Sequence, residues 1–163
     1  MLKDLRTWLA CLIAGIPHFV IGGEDDPYML RWFVIPRNKI FNIYVHKFLR
    51  DDDPRALHDH PWWFISLILK GGYYEVVPDP VVPKAEIVYT RQAGSLAFRK
   101  ATHKHRVVML RSQQGYEMLP CWTLVITGRK VRSWGFWCPQ GFVNWKEFTS
   151  PTEGGNQIGR GCE

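Results

Sequence analysis

The feature that most constrains this chain is the rhythm of its turn residues. Eleven prolines and fourteen glycines punctuate 163 residues. From residue 28 onward they leave only short apolar runs, rich in β-branched and aromatic side chains, of strand length. Such runs fall at 28–35, 40–49, 62–69, 73–77, 86–90, 95–99, 106–110, 122–127 and 131–137. Turn signals recur roughly every 8–12 residues, a spacing that suits an antiparallel sandwich or barrel. Lys70-Gly71-Gly72 predicts one hairpin, between 62–69 and 73–77, and Gly128-Arg129-Lys130 predicts a second, between 122–127 and 131–137.

A chain of this length makes one domain able to bury a core without covalent staples. Its 46% hydrophobic and 14% aromatic content excludes a disordered polymer. We expect residues 1–27 to be an amino-terminal helix and extension, 28–148 the barrel, and 149–163, rich in glycine, a flexible tail. The helix is placed at 2–15, with Pro17 ending it. Its apolar stretch is too short to span a membrane and is interrupted by Pro17 and His18. No small-residue cleavage site follows it. A cytoplasmic protein without membrane association is therefore expected.

The net charge of +6 comes from scattered Lys and Arg, with no basic run and no nucleic-acid motif. It points to a solvated basic surface, or to a pocket that prefers anionic ligands. The four cysteines form no CxxC pair, so reduced thiols are the default. If the second hairpin closes, Cys121 and Cys138 fall opposite each other. A disulfide or metal site could form there, but two small buried apolar side chains are the commoner outcome.

Four of the six histidines sit in two His-x-His pairs, His58-Asp59-His60 and His103-Lys104-His105. On an extended chain, residues two apart project to one face, so both imidazoles of a pair can point into one barrel mouth while the middle residue points away. Neutral imidazole suits Zn, Fe, Ni and Cu, and three on one ion leave coordination positions open. Equally, such pairs can stack or bond to backbone carbonyls without any metal.

The order of these motifs resembles that of the cupins. That family's first motif is a Gly, an HxH pair, a Glu and a closing Gly; its second is a Gly, a Pro-x-Gly, a His and an Asn. Here His58-Asp59-His60 leads through an apolar strand to Gly71-Gly72, and Gly94 is followed at the second motif's spacing by His105. The likeness covers roughly residues 40–140. It implies an all-β antiparallel double-stranded β-helix, a jelly-roll-type barrel, holding one divalent metal on His58, His60 and His105. The family's Glu would fall at Phe64 or Ile65 and is missing; Lys100, Thr102 and Met109 replace the Pro, Gly and Asn of the second motif. Three histidines without a carboxylate are similar to the Fe(II) site of thiol dioxygenases, which makes Fe(II) the first expectation, with Zn or Ni as alternatives. Loss of metal from a retained barrel is the other way to explain the missing Glu. His103 is either a further ligand, a base beside the site, or a surface residue.

Around the histidines, 42–48 alternates Asn42, Tyr44, His46 and Phe48 with Ile43, Val45 and Lys47. If the first set faces inward, Tyr44 and His46 become proton donor and acceptor near the metal; if outward, they are solvated. Arg99 and Arg132 are candidate clamps for an anionic substrate, and Trp122 a candidate pocket wall. The function classes open at this point are an Fe(II)-dependent dioxygenase acting on a small anionic molecule, a Lewis-acid lyase, isomerase or hydrolase, and a non-enzymatic binding or structural barrel. A small-molecule partner is expected, nucleic acid is not, and exposed strand edges would permit a homodimer.

Overall fold

The computed structural model describes residues 5–150 and 157–163. Strand-forming runs become two facing antiparallel sheets. One has six strands in the order β1 (Phe19–Ile21), β2 (Met29–Phe33), β3 (Asn42–Phe48), β10 (Cys121–Thr127), β5 (Phe64–Lys70) and β8 (Leu96–Arg99). The other is built from two pieces: β7 (Glu86–Gln92), β6 (Gly72–Pro78) and β9 (Arg106–Met109), then β4 (Leu57–His58), β11 (Gly135–Cys138) and β12 (Gly141–Asn144). The pieces meet where His58 and His105 form an antiparallel bridge, exchanging backbone hydrogen bonds of 2.8 and 2.9 Å. From β3 to β11 the chain passes repeatedly from one sheet to the other, which is the winding of an antiparallel double-stranded β-helix.

Alternation along the strands decides what faces the interior. Asn42, Tyr44 and His46 on β3 are buried, as are Cys121, Thr123, Val125 and Thr127 on β10. These two sets are paired in register, Thr123 with His46 and Val125 with Tyr44. Tyr44 and His46 therefore point inward, which resolves the choice the alternation left open. Between the sheets, Ile68, Tyr73, Val107, Met109 and Cys121 form one buried cluster. Phe33, Tyr44, Phe64 and Val125 form a second. Each such side chain contributes roughly 1.5–3 kcal/mol by leaving water.

Neither expected hairpin forms. β5 pairs with β10 and β8, whereas β6 pairs with β7 and β9. Gly71 turns a corner between sheets instead. Its φ is +78°, and a Cβ there would lie 2.5 Å from the Pro120 carbonyl oxygen, so only glycine fits. Likewise β10 pairs with β3 and β5, while β11 pairs with β12 and β4. Gly128 lets the chain pass against the Trp63 indole, where a Cβ would meet Nε1 at 2.2 Å. In both places Gly marks close approach of chain to chain, a use that local turn statistics do not distinguish from a hairpin.

Cys121 and Cys138 consequently lie in different sheets. Cys121 is a buried free thiol, pushed up to about 12 by burial. Cys138 is not reduced: it forms a disulfide with Cys162, 24 residues on. This corrects the expectation of reduced thiols for that pair, while Cys11 and Cys121 are free. At the carboxyl end, residues 151–156 of the expected tail lie outside the described region, and the residues on either side of them are held by bonds. β13 (Thr149–Ser150) pairs with β14 (Gln157–Ile158), Gly161 N–H donates to the Phe148 carbonyl, and Gln140 Nε2 donates to that of Cys162. At the other end, α1 (Leu5–Ile13) stops two residues before the expected position 15, and residues 1–4, which include the expected start at residue 2, lie outside the described region. Its Trp8 reaches inward and donates from Nε1 to the Phe33 carbonyl at 2.8 Å, while Leu5, Leu9 and Ile13 stay exposed. Among the described residues no helix is long and apolar enough to cross a membrane.

Candidate metal centre

The bridge between the two pieces of the second sheet is also the site. Residues of a bridged antiparallel pair project to the same face, so His58 and His105 bring their rings to 4.7 Å. His60 projects beside them, with its ring 5.0 Å from His58 and 5.1 Å from His105. Nε2 of His60 and Nε2 of His105 are 2.8 Å apart. One ring nitrogen from each of the three lies within 4.8 Å of the others. Metal–nitrogen bonds of about 2.0–2.1 Å meeting near a right angle place two nitrogens about 2.9 Å apart. The three imidazoles thus fit one divalent ion.

The protonation states suit the same role. Burial, set only partly against the nearby Asp52 charge, lowers His58 to about 4. Burial and then the neighbouring rings hold His60 well below the ordinary histidine value. Both rings are therefore neutral near pH 7, with lone pairs available for a cation.

Two carboxylates set the rings from behind. Glu75, on β6, is 1% exposed. Its Oε1 lies 3.2 Å from His105 Nδ1 and 3.2 Å from His103 Nε2. Asp52 Oδ2 lies 3.6 Å from His58 Nδ1, while Asp52 itself accepts from the Tyr28 hydroxyl and, at 2.5 Å, from Val107 N–H. The Glu75 carboxylate on His105 Nδ1 directs that ring's Nε2 forward, the usual support of a metal-binding imidazole, while Asp52 stands near His58 Nδ1 beyond hydrogen-bond distance. Asp59, between the two histidines of the first pair, points away as alternation requires. It is fully buried and accepts from Gly135 N–H at 3.0 Å, Trp137 Nε1 at 3.1 Å and Arg132 at 2.5 Å. These bonds tie the His58–His60 segment to β11.

Aromatic rings wall the front. Phe64 lies 4.6 Å from His60. Phe136 lies 5.9 Å from His58, and Trp134 lies parallel to His60 at 6.5 Å. An open cleft of about 520 Å³ adjoins on the Glu75 side, lined among others by Tyr89, Arg91, Arg99, His103 and Lys104. It reaches Glu75 and His103 rather than His58 and His60.

His103 faces Glu75. With Glu75 and His105 it makes a second group of metal-ligand type, but Glu75 is already held by two guanidinium groups. Arg91 Nε donates to it at 2.8 Å, Arg99 Nε donates at 2.7 Å, and a further Arg99 N–H reaches Oε2. Burial alone would raise the Glu75 carboxyl, but its bonds to His103, His105 and Arg99 hold it far below the usual carboxylate range. Its lone pairs and its charge are satisfied within the chain.

The same pairing corrects the expected anion clamps. Arg99 shares the single charge of Glu75 with Arg91, and Arg132 is paired with Asp59, so neither is a free cation. Trp122 lies on the outer face of β10, stacked on Trp32 at 5.3 Å with Lys47 above it, so it walls no interior pocket. Tyr44 and His46 stack on each other inside the barrel, and His46 Nε2 accepts from Arg31 Nε at 2.8 Å. Glu75, Asp52, Arg31 and Trp134 were missed as site residues. For Glu75 a signal existed: a lone acid at the centre of the apolar run 72–78, a position that burial forbids unless the charge is paired.

With the strand order and the bridged histidines in view, the architecture can be named. The fold is a cupin-type double-stranded β-helix. No protein-family model matches the chain, and no curated protein matches it. Among solved structures it is similar to a Ralstonia eutropha JMP134 protein provisionally named a mannose-6-phosphate isomerase. Identity there is 17%, the TM-score 0.49, and the match covers 69% of this chain and 92% of that one. It is also similar to a Klebsiella pneumoniae protein with a double-stranded β-helix domain, at 16% identity and TM-score 0.47 over 72% of this chain and 90% of that one. A third is the hydroxypropylphosphonic acid epoxidase of S. wedmorenis, at 12% identity and TM-score 0.47, over 67% of this chain and 54% of that one. Likeness at this level concerns the fold, and the function has to be read from the site.

Proposed function

We propose that this protein binds one divalent metal ion through His58, His60 and His105 and acts with it on a small anionic substrate. The observation that carries this is the convergence of three imidazoles on one point, two of them held neutral by burial, with Asp52 and Glu75 behind His58 and His105. A ferrous ion, our first assignment, would supply adjacent open positions for dioxygen and substrate, whereas zinc or nickel would supply Lewis acidity alone.

The chain's own contribution is geometric and electrostatic. A ligand set of three neutral rings leaves the ion its full charge, which favours an anionic partner. Glu75 orients His105 and, with Arg91 and Arg99, keeps that orientation rigid. Phe64, Trp134 and Phe136 exclude water from the front of the rings. Tyr44 offers an interior phenol; His46 is committed as acceptor from Arg31 and its burial keeps it neutral, so it serves to position Arg31 rather than to take a proton.

Elemental analysis of protein purified without chelator tests this. Near one equivalent of iron, zinc or nickel is expected, and loss of it in both His58→Ala and His105→Ala. Oxygen uptake by the iron-loaded protein separates the dioxygenase from the Lewis-acid reading. A wild-type protein that retains no metal and takes up none on titration would defeat the proposal.

A further inference from the structure

Every arginine with a carboxylate within reach has been spent on it. Arg50, Arg55, Arg91, Arg99, Arg106, Arg111 and Arg132 pair with Asp26, Asp53, Glu75, Glu75, Glu86, Asp51 and Asp59. Among the described residues, Arg31 is the one arginine that is not exposed and has no such partner. It stands on the inner face of β2, in register with His46, which in turn is in register with Thr123. Its Nε donates to His46 Nε2 at 2.8 Å, and its guanidinium carbon lies 4.8 Å over the Tyr44 ring. Those contacts fix the plane of the group but leave its terminal N–H donors without an anion. Burial lowers it to about 10, the mark of a cation short of compensating charge.

Thr123 is an independent second observation. It is 1% exposed, and among the described residues its Oγ1, like that of Thr127 on the same face of β10, has no hydrogen-bond partner; Thr123 is the one in register with His46. An unpaired buried hydroxyl is unusual, because burial without a partner is unfavourable. By register this donor lies on the same inner row as Arg31 and His46. The row is contiguous with the metal centre: Tyr44 packs in one cluster with Phe64, and Phe64 packs on His60 and His105.

We propose that Arg31 and Thr123 form an oxyanion subsite inside the barrel, which holds the carboxylate of a small organic acid whose other end faces the three histidines. A guanidinium fixed edge-on by His46 presents paired N–H donors to a planar carboxylate, and the threonine hydroxyl supplies a further donor. Anion capture depends only on this row. Its service to catalysis rests on the proposed metal centre.

The test uses the full chain, metal-free and zinc-loaded, titrated with propionate, with its neutral isostere propionamide, and with inorganic phosphate. The readout is the Arg31 Nε–H resonance, which its bond to His46 protects. Propionate is expected to shift it saturably in both states and propionamide is not. Arg31→Met should weaken propionate binding at least tenfold, Arg31→Lys less, and Thr123→Val two- to fivefold. Should Arg31→Met not fold, Arg31→Lys and Thr123→Val carry the test. Equal effects of propionate and propionamide, or unchanged affinity in Thr123→Val and Arg31→Lys, overturn the subsite. A response to phosphate alone overturns the carboxylate assignment. Propionate binding without zinc uptake leaves the subsite standing and removes the metal centre; zinc uptake without propionate binding does the reverse.

Discussion

Glu75→Gln removes one negative charge from the middle of the barrel while keeping the side chain's size. In the native protein that charge faces Arg91 and Arg99 and supports His103 and His105, with only 1% of the residue exposed. Removing one partner from a buried pair typically costs about 3–5 kcal/mol, because the remaining charges stay buried and uncompensated. Glutamine keeps one acceptor oxygen, which places the variant near the lower end, about 3 kcal/mol. For a domain of this size that is a fall in Tm of roughly 6–12 °C. Metal affinity responds separately. His105 loses the carboxylate on Nδ1, and losses of this kind weaken binding about 10–100-fold. Urea denaturation of the metal-free protein measures the first effect, and chelator competition the second. Acid adds a third reading. Because the folded carboxyl is held far below its usual value, its contribution is complete above about pH 4.5 and declines as pH falls further, so the variant should lose less stability than wild type over that interval. A variant with unchanged Tm and unchanged metal affinity would refute the claim that Glu75 is the electrostatic hub of the site.

Three other outcomes are expected. His58 is buried neutral, with its folded value lowered to about 4 against about 6.5 unfolded, so the unfolded chain binds more protons between those values. Metal-free stability should therefore fall as pH drops from 6.5 towards 4, by on the order of 3 kcal/mol from this residue, and His58→Phe should flatten that slope in denaturation curves taken across the range. Cys162→Ser opens a disulfide spanning 24 residues, which on loop-closure entropy costs about 3 kcal/mol; a Tm within a degree of wild type under oxidising conditions would show that the bridge does not restrain the chain. Trp122→Leu should leave metal affinity unchanged, because its ring stacks on Trp32 outside the sheet, and a tenfold loss by chelator competition would place it at the site after all.

Local pattern and long-range geometry divide this protein cleanly. Alternation within 42–48 and the spacing of His58, His60 and His105 were legible because side-chain direction along a strand has a period of two and depends on nothing distant. The β-rich class and the convergence of the histidines followed from that periodicity and from the resemblance it supported. Hairpins at Gly71 and Gly128 were misplaced because glycine signals any position where a Cβ cannot fit, whether a tight turn or a neighbouring strand. The partners of Glu75, Asp59 and Arg31 were hidden for another reason. A buried charge must be paired, but the sequence carries no record of which strand lies opposite. Arg99 and Arg132 looked like free cations until the sheets brought Glu75 and Asp59 against them, and Arg31 stood out only after every other arginine that is not exposed had found its acid. Cys138 and Cys162 likewise met only when the chain's last residues returned to β11. Composition and spacing therefore determined which chemistry was available, and tertiary packing decided where each charge was spent.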